Sequence, residues 1–147
     1  MEKIIGDFVK EEGIARVDPS ELVPNTIKRV RENYKQVKRW AKNTDLFEKD
    51  FVVFPINAFS HWFCVIIVNP KNLLLNTGKT EIIYCDSMLE KKDFIIEAVR
   101  QYLYHELKEK KNIEVSVNEG KVPCYQLLLP RQTNCHDCGL YMLAYIE

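Results

Sequence analysis

The eight residues His61-Trp62-Phe63-Cys64-Val65-Ile66-Ile67-Val68 constrain this chain most. They show almost no polar alternation, so a strand built from them has no face suited to water. Such a strand belongs in mid-sheet, with packed layers on both sides. The same run is far shorter than the roughly 20 apolar residues that a membrane span needs. A chain of 147 residues is the length of one domain, so residues 1–147 read as a single folded unit. The 21 basic and 21 acidic residues cancel, and the electrostatic footprint of a nucleic-acid-binding domain is missing. Met1 leads into Glu2, Lys3, Ile4, Ile5, Gly6 and Asp7, which is no signal-peptide core. Five cysteines without a secretory signal point to reduced thiols in the cytoplasm or nucleus.

The periodicity divides the chain into helices and strands. Lys3 to Glu12 reads as a short amphipathic helix, followed by a loop broken at Gly13, Pro19 and Pro24. Ile27, Val30, Tyr34, Val37 and Ala41 mark a second helix with one buried stripe. Its stretch Lys28–Lys42 holds seven basic residues against the single acid Glu32. That is either a solvated outer face or a docking surface for an acidic protein. Strands follow at Phe51 to Ile56, at His61 to Val68 and at Glu81 to Cys85, the first closed by a proline. Lys92 to Leu107 is a strong amphipathic helix. Val115, Val117 and Tyr125 to Leu129 suggest two further strand segments, and Asp137 to Ile146 a last helix.

Chemistry concentrates in Gln132-Thr133-Asn134-Cys135-His136-Asp137-Cys138-Gly139. Cys138 falls in the first turn of the last predicted helix, where free N–H groups and the positive end of the dipole stabilise a thiolate. Gly139 would let a substrate backbone come close. The position alone does not distinguish a nucleophile from a small buried hydrophobe.

A partner base comes from the hairpin. If the His61 and Glu81 strands pair antiparallel, residues whose numbers sum to about 147 face each other, His61 with Asp86 and Val68 with Lys79. A carboxylate beside the imidazole would fix its tautomer and stabilise the imidazolium. His105 reads as a wet helix-edge residue, and His136 is too close along the chain to line up with the thiol. Cys135-x-x-Cys138 is half of a zinc pair with no second half, and a redox pair stays open. No metal and no cofactor is expected.

With these residues in view, the chain resembles the sentrin/SUMO-specific (ubiquitin-like-protein) cysteine proteases, of the adenovirus-protease-like clan. The resemblance rests on Val37-Lys38-Arg39-Trp40, Asp45-Leu46-Phe47, Phe51 to Asn57, His61-Trp62, Asp86-Ser87 and Gln132 to Gly139. It implies an α+β, papain-like core, a mixed central sheet flanked by helices, in which Cys138 is the nucleophile, His61 the general base and acid, and Asp86 its orienter. Gln132 would donate to the oxyanion with the backbone N–H of Cys138. Trp62 would help roof a channel for a Gly-Gly tail, and Trp40 would lie near the substrate surface. Pro55-Ile56-Asn57 and the connection after Asn69 look like the branch that trims poly-SUMO chains. The implied reaction is hydrolysis after the C-terminal Gly-Gly of SUMO, in the nucleus or cytoplasm. A protease for another ubiquitin-like modifier and an inactive SUMO-binding module stand as alternatives. Family domains carry more chain on both sides, so this chain is expected to be truncated at both ends, leaving Ile4, Ile5, Phe8 and Ile146 without partners.

Overall fold

A computed structural model describes Tyr34, Lys35, residues 37–39 and residues 41–147 of the chain. The Lys3–Glu12 helix, Ile4, Ile5 and Phe8, most of the Ile27–Ala41 helix and Trp40 lie outside the described residues. Four strands, β1 (Phe51–Ala58), β2 (His61–Val68), β3 (Glu81–Cys85) and β4 (Cys124–Gln126), form one sheet in that order. The first three make antiparallel pairs, and β4 adds to β3 in parallel. A parallel neighbour needs a long crossover. Helix α2 (Asp93–Lys111) supplies it, after the short α1 (Asn72–Leu75) in the β2–β3 connection.

β2 takes the mid-sheet place that its composition demands, and Phe63, Cys64, Val65 and Ile67 are fully buried. Its side chains divide between two layers because successive residues point to opposite faces. Phe63, Val65 and Ile67 join Ile82 and Tyr84 of β3 against Ile95, Ile96, Val99, Leu103 and Leu107 of α2. On the other face Cys64, Ile66, Ile83 and Cys85 meet Met142 and Tyr145 of α3 (Cys138–Ile146). The sheet is therefore packed between helices, an α+β architecture. The buried stripe of the second helix is legible in its described part, where Tyr34, Val37 and Ala41 pack with Leu46 and Tyr102. No helix among the described residues is long and apolar enough to cross a membrane.

Several expectations need correction. Pro55 does not close the first strand, which runs on to Ala58. Among the described residues β1 is an edge strand, and an edge accommodates a residue without an N–H. Val115 and Val117 form no strand. Their segment is held by the buried Val117 and Val122 and by Arg100 Nε, which donates to the Val122 carbonyl at 3.0 Å. Of Tyr125 to Leu129, only Tyr125 and Gln126 belong to β4. His105 is half-buried and stacks on the Tyr34 ring at 4.9 Å, so it is not a wet edge. The β2–β3 register pairs Cys64 with Cys85 and Val68 with Glu81, two residues away from the expected one.

Candidate active site

The two-residue shift in register leaves the His61–Asp86 pairing intact. Side chains alternate with period two, so an even slip keeps both residues on one face and makes them diagonal neighbours. His61 opens β2, directly after the turn residues Phe59 and Ser60, whose φ angles are 57° and 58°. Positive φ at both central residues gives the twist that matches a two-residue hairpin. Asp86 follows β3 and is fully buried. His61 Nε2 lies 2.6 Å from Asp86 Oδ1, which also accepts the Met88 N–H at 2.8 Å. A carboxylate only accepts, so Nε2 carries the proton and the Nδ1 lone pair is left for another group. Lys92 Nζ stands 3.8 Å from Asp86 Oδ2 and over the Phe63 ring, placing a positive charge beside a buried negative one.

Cys138 is the first residue of α3 and is buried. The turn before it is built by Asn134, whose Oδ1 accepts from the N–H groups of His136 at 3.1 Å and Asp137 at 3.0 Å. Its Nδ2 donates to Asp137 Oδ2 at 2.7 Å, so one side chain shapes the approach to the helix. At the helix start, the Cys138 N–H is among the four with no intrahelical acceptor. α3 packs on β2. A Cβ on Gly139 would stand 3.7 Å from Trp62 Cδ1, ordinary contact, so the nucleophile candidate's neighbour adjoins the residue next to His61. The fold thus brings the helix start bearing Cys138 to the His61 end of β2.

Gln132 is buried and held at three points. Its backbone N–H donates to the Ser87 carbonyl at 3.1 Å. Its Nε2 donates to the Asn134 carbonyl at 2.6 Å, and its Oε1 accepts a short hydrogen bond from the Ser87 hydroxyl. Sequence reasoning assigned no roles to Ser87, Asn134 or Lys92. The first two lie inside the quoted motifs and were visible as neighbours of Asp86 and Cys138, whereas nothing local marks Lys92.

Two of the other thiols are suppressed as nucleophiles, while the buried Cys85 is shifted down by its hydrogen bond with Cys64. The hydrogen bond to Cys85 and burial push the Cys64 thiol up, and burial pushes the Cys124 thiol up, which keeps both protonated. Cys135 is exposed, and all five cysteines are free. His136 is largely exposed, with Nε2 3.8 Å from Asp137 Oδ1. Among the described residues no group of three or more His, Cys, Asp or Glu side chains is placed to hold a metal ion.

Residues 20–147 match the family model described as the Ulp1 protease family, C-terminal catalytic domain. The chain is 36% identical over 126 residues to a probable ubiquitin-like-specific protease 2A of Arabidopsis thaliana, covering 80% of this chain and 16% of that protein. It is 35% identical over 117 residues to sentrin-specific protease 2 of Pongo abelii, covering 78% of this chain and 18% of that protein. With ubiquitin-like-specific protease 2 of Saccharomyces cerevisiae the identity is 28% over 132 residues, covering 78% and 13%. The chain thus spans less than a fifth of the length of these curated relatives. A structure described as the crystal structure of the de-sumoylating protease superposes with a TM-score of 0.71 at 27% identity, covering 99% of this chain and 60% of that one. The Chaetomium thermophilum Ulp1-like SUMO protease catalytic domain gives 0.59 at 17% identity, covering 97% and 55%, a likeness of fold.

Proposed function

This chain belongs to the Ulp1 protease family, and from that premise we propose that it is a cysteine peptidase cleaving the bond after the C-terminal Gly-Gly of SUMO. The observation that carries this is the 2.6 Å His61–Asp86 hydrogen bond at the strand end that α3, with Cys138 at its start, packs against. The relatives named as sentrin-specific and de-sumoylating proteases support SUMO as the modifier.

The chemistry follows from the positions. His61 Nδ1 takes the Cys138 proton, and the thiolate attacks the carbonyl carbon of the terminal glycine. Negative charge gathers on the carbonyl oxygen, where the second N–H of Gln132 Nε2 and the backbone N–H of Cys138 would receive it. One such donor is typically worth about 2.7–4 kcal/mol. The tetrahedral intermediate collapses by breaking the C–N bond, and the imidazolium gives its proton to the leaving lysine amine. Water, deprotonated by His61, then attacks the thioester and releases the glycine carboxylate and the thiol. Trp62, beside Gly139, would roof the channel for a tail without side chains, and Trp40 would contact the modifier. A thiol that must stay reduced to act suits the nucleus or cytoplasm. Pro55-Ile56-Asn57 on β1 supports the poly-SUMO chain-trimming branch.

The test is a SUMO bearing a C-terminal electrophile, read by intact mass and peptide mapping. An adduct on Cys138, absent in Cys138→Ala, is the expected result. An adduct with a different ubiquitin-like probe and none with SUMO would reassign the substrate. SUMO binding without any adduct would make the chain a binding module.

A further inference from the structure

We propose that Ser87 is a positioning residue for the oxyanion donor: its hydroxyl anchors the Gln132 amide oxygen, in the orientation that the Asn134 carbonyl selects, and polarises the amide toward the developing charge. Resting on the protease reading above, this assigns a role to the residue beside the histidine's orienter.

A glutamine amide has one oxygen and one nitrogen of nearly equal size, so packing alone does not choose between its two orientations. Hydrogen-bond partners do. The Asn134 carbonyl has no proton to give, so the group 2.6 Å from it must be the amide nitrogen. The oxygen then faces Ser87, whose hydroxyl donates to it. Both side chains are buried, Ser87 at 1% and Gln132 at 5% exposure, so water does not substitute for either bond. The Gln132 N–H to Ser87 carbonyl bond at 3.1 Å clamps the two residues through their backbones as well. An amide nitrogen carries two protons, and Asn134 uses one. The second is left for the oxyanion.

The hydroxyl also acts through the bond it makes. Donation to Oε1 draws electron density toward the oxygen and leaves the Nε2 protons more positive, because linked hydrogen bonds polarise one another. Charge on the substrate oxygen is largest in the transition state, so this benefit appears in turnover and not in substrate affinity. Asp86 and Ser87 being adjacent, one short turn after β3 sets both the histidine and the oxyanion donor. A shift of that turn would degrade both together.

The test is a double-mutant cycle on a SUMO-fluorophore substrate with Ser87→Ala, Gln132→Ala and the pair, with Cys138→Ala as the blank. Ser87→Ala is expected to lower kcat about tenfold to a hundredfold with KM within about twofold, since a misplacement near 1 Å costs up to about a hundredfold. Gln132→Ala is expected to lose about a hundredfold to a thousandfold. The pair should be no slower than Gln132→Ala, because Ser87 acts only through that amide. Ser87→Cys, with a weak donor of similar shape, should fall between wild type and Ser87→Ala, and it carries the test if the alanine variant does not fold. The inference is overturned if the serine variants keep full kcat while Gln132→Ala loses it, or if Ser87→Ala costs the same factor in the Gln132→Ala background. Full kcat in Gln132→Ala overturns the donor role and this inference with it, while Cys138 remains the nucleophile. Undiminished turnover in Cys138→Ala would instead remove the protease reading itself.

Discussion

The region that carries the proposed base and the region that carries the proposed nucleophile are held together by different forces. His61 and Asp86 sit at the ends of β2 and β3, where a ladder of backbone pairs and fully buried side chains such as Phe63, Ile82 and Tyr84 leaves little freedom. Cys138 and Gln132 lie beyond β4, which has only three residues. Side-chain bonds from Asn134 and Ser87 set their geometry, and α3 turns Leu140, at 67% exposure, and Leu143, at 60%, away from the core. A backbone ladder is shared among many residues, and loss of one side chain scarcely alters its course. A turn held by two side chains depends on each of them. Outside His61 and Asp86 themselves, variation on the base side should therefore act mainly on stability, and on the nucleophile side mainly on turnover.

The largest effect expected falls on the proposed base and its orienter. His61→Ala should lower kcat/KM about 10^4-fold or more, and Asp86→Asn by a smaller factor, with the His61 variant melting within a few degrees of wild type. Steady-state rates on a SUMO-fluorophore substrate measure this. Equal activity of wild type and His61→Ala would transfer the base role elsewhere.

Next in size is the contrast between the two regions in stability. Phe63→Ala empties a fully buried site shared by β3 and α2 and should cost about 3–5 kcal/mol. Leu143→Ala, on the open side of α3, should stay within about 0.5 kcal/mol. Denaturant unfolding of both variants checks the pair, and similar losses would mean that the exposed face of α3 is covered in solution.

Asn134→Ala removes the acceptor of two backbone N–H groups and should cost about 1–2 kcal/mol, in the range of a lost helix cap. Its effect on kcat should exceed what the stability loss explains, because the turn that the Asn134 side chain shapes also places the Asn134 main-chain carbonyl that accepts from Gln132. Unchanged turnover would contradict the account of this turn.

The smallest effect concerns pH. The hydrogen bond to Lys111 holds the Asp45 carboxyl below the usual carboxylate range, and Asp45 Oδ1 also accepts the Phe47 N–H. A depressed acid stabilises the fold above its unfolded pKa, and that contribution is lost as pH falls through its folded value. Asp45→Asn keeps an acceptor for Phe47 and removes the charge. It should cost under about 1 kcal/mol at neutral pH, and the difference from wild type should vanish in strong acid. Thermal unfolding between neutral pH and about pH 2 measures this, and a constant difference would assign the effect to packing.

Much of this was legible in the sequence for physical reasons. The unbroken apolar run His61–Val68 could only be a covered central strand, and Cys138 had to fall at a helix start. Both follow from local patterns of periodicity and turn chemistry. The His61–Asp86 pairing survived a register error because a slip of two residues does not exchange the faces of a strand. The strand expected at Val115 and Val117 failed because a short apolar stretch looks the same whether it pairs in a sheet or plugs a core. His105 is stacked on Tyr34, a contact that no helical pattern encodes.

The sequence by itself determined the strand that must be buried and the helix start that suits a thiolate. Each depends on neighbours within a few positions, where chain geometry fixes the outcome. Only the tertiary structure decided the register of β3, the parallel addition of β4 and the bond between Ser87 and Gln132, 45 residues apart. Those contacts form because burying both faces of β2 brings distant segments to the same edge. Once there, a buried amide must find a donor for its oxygen and an acceptor for its nitrogen.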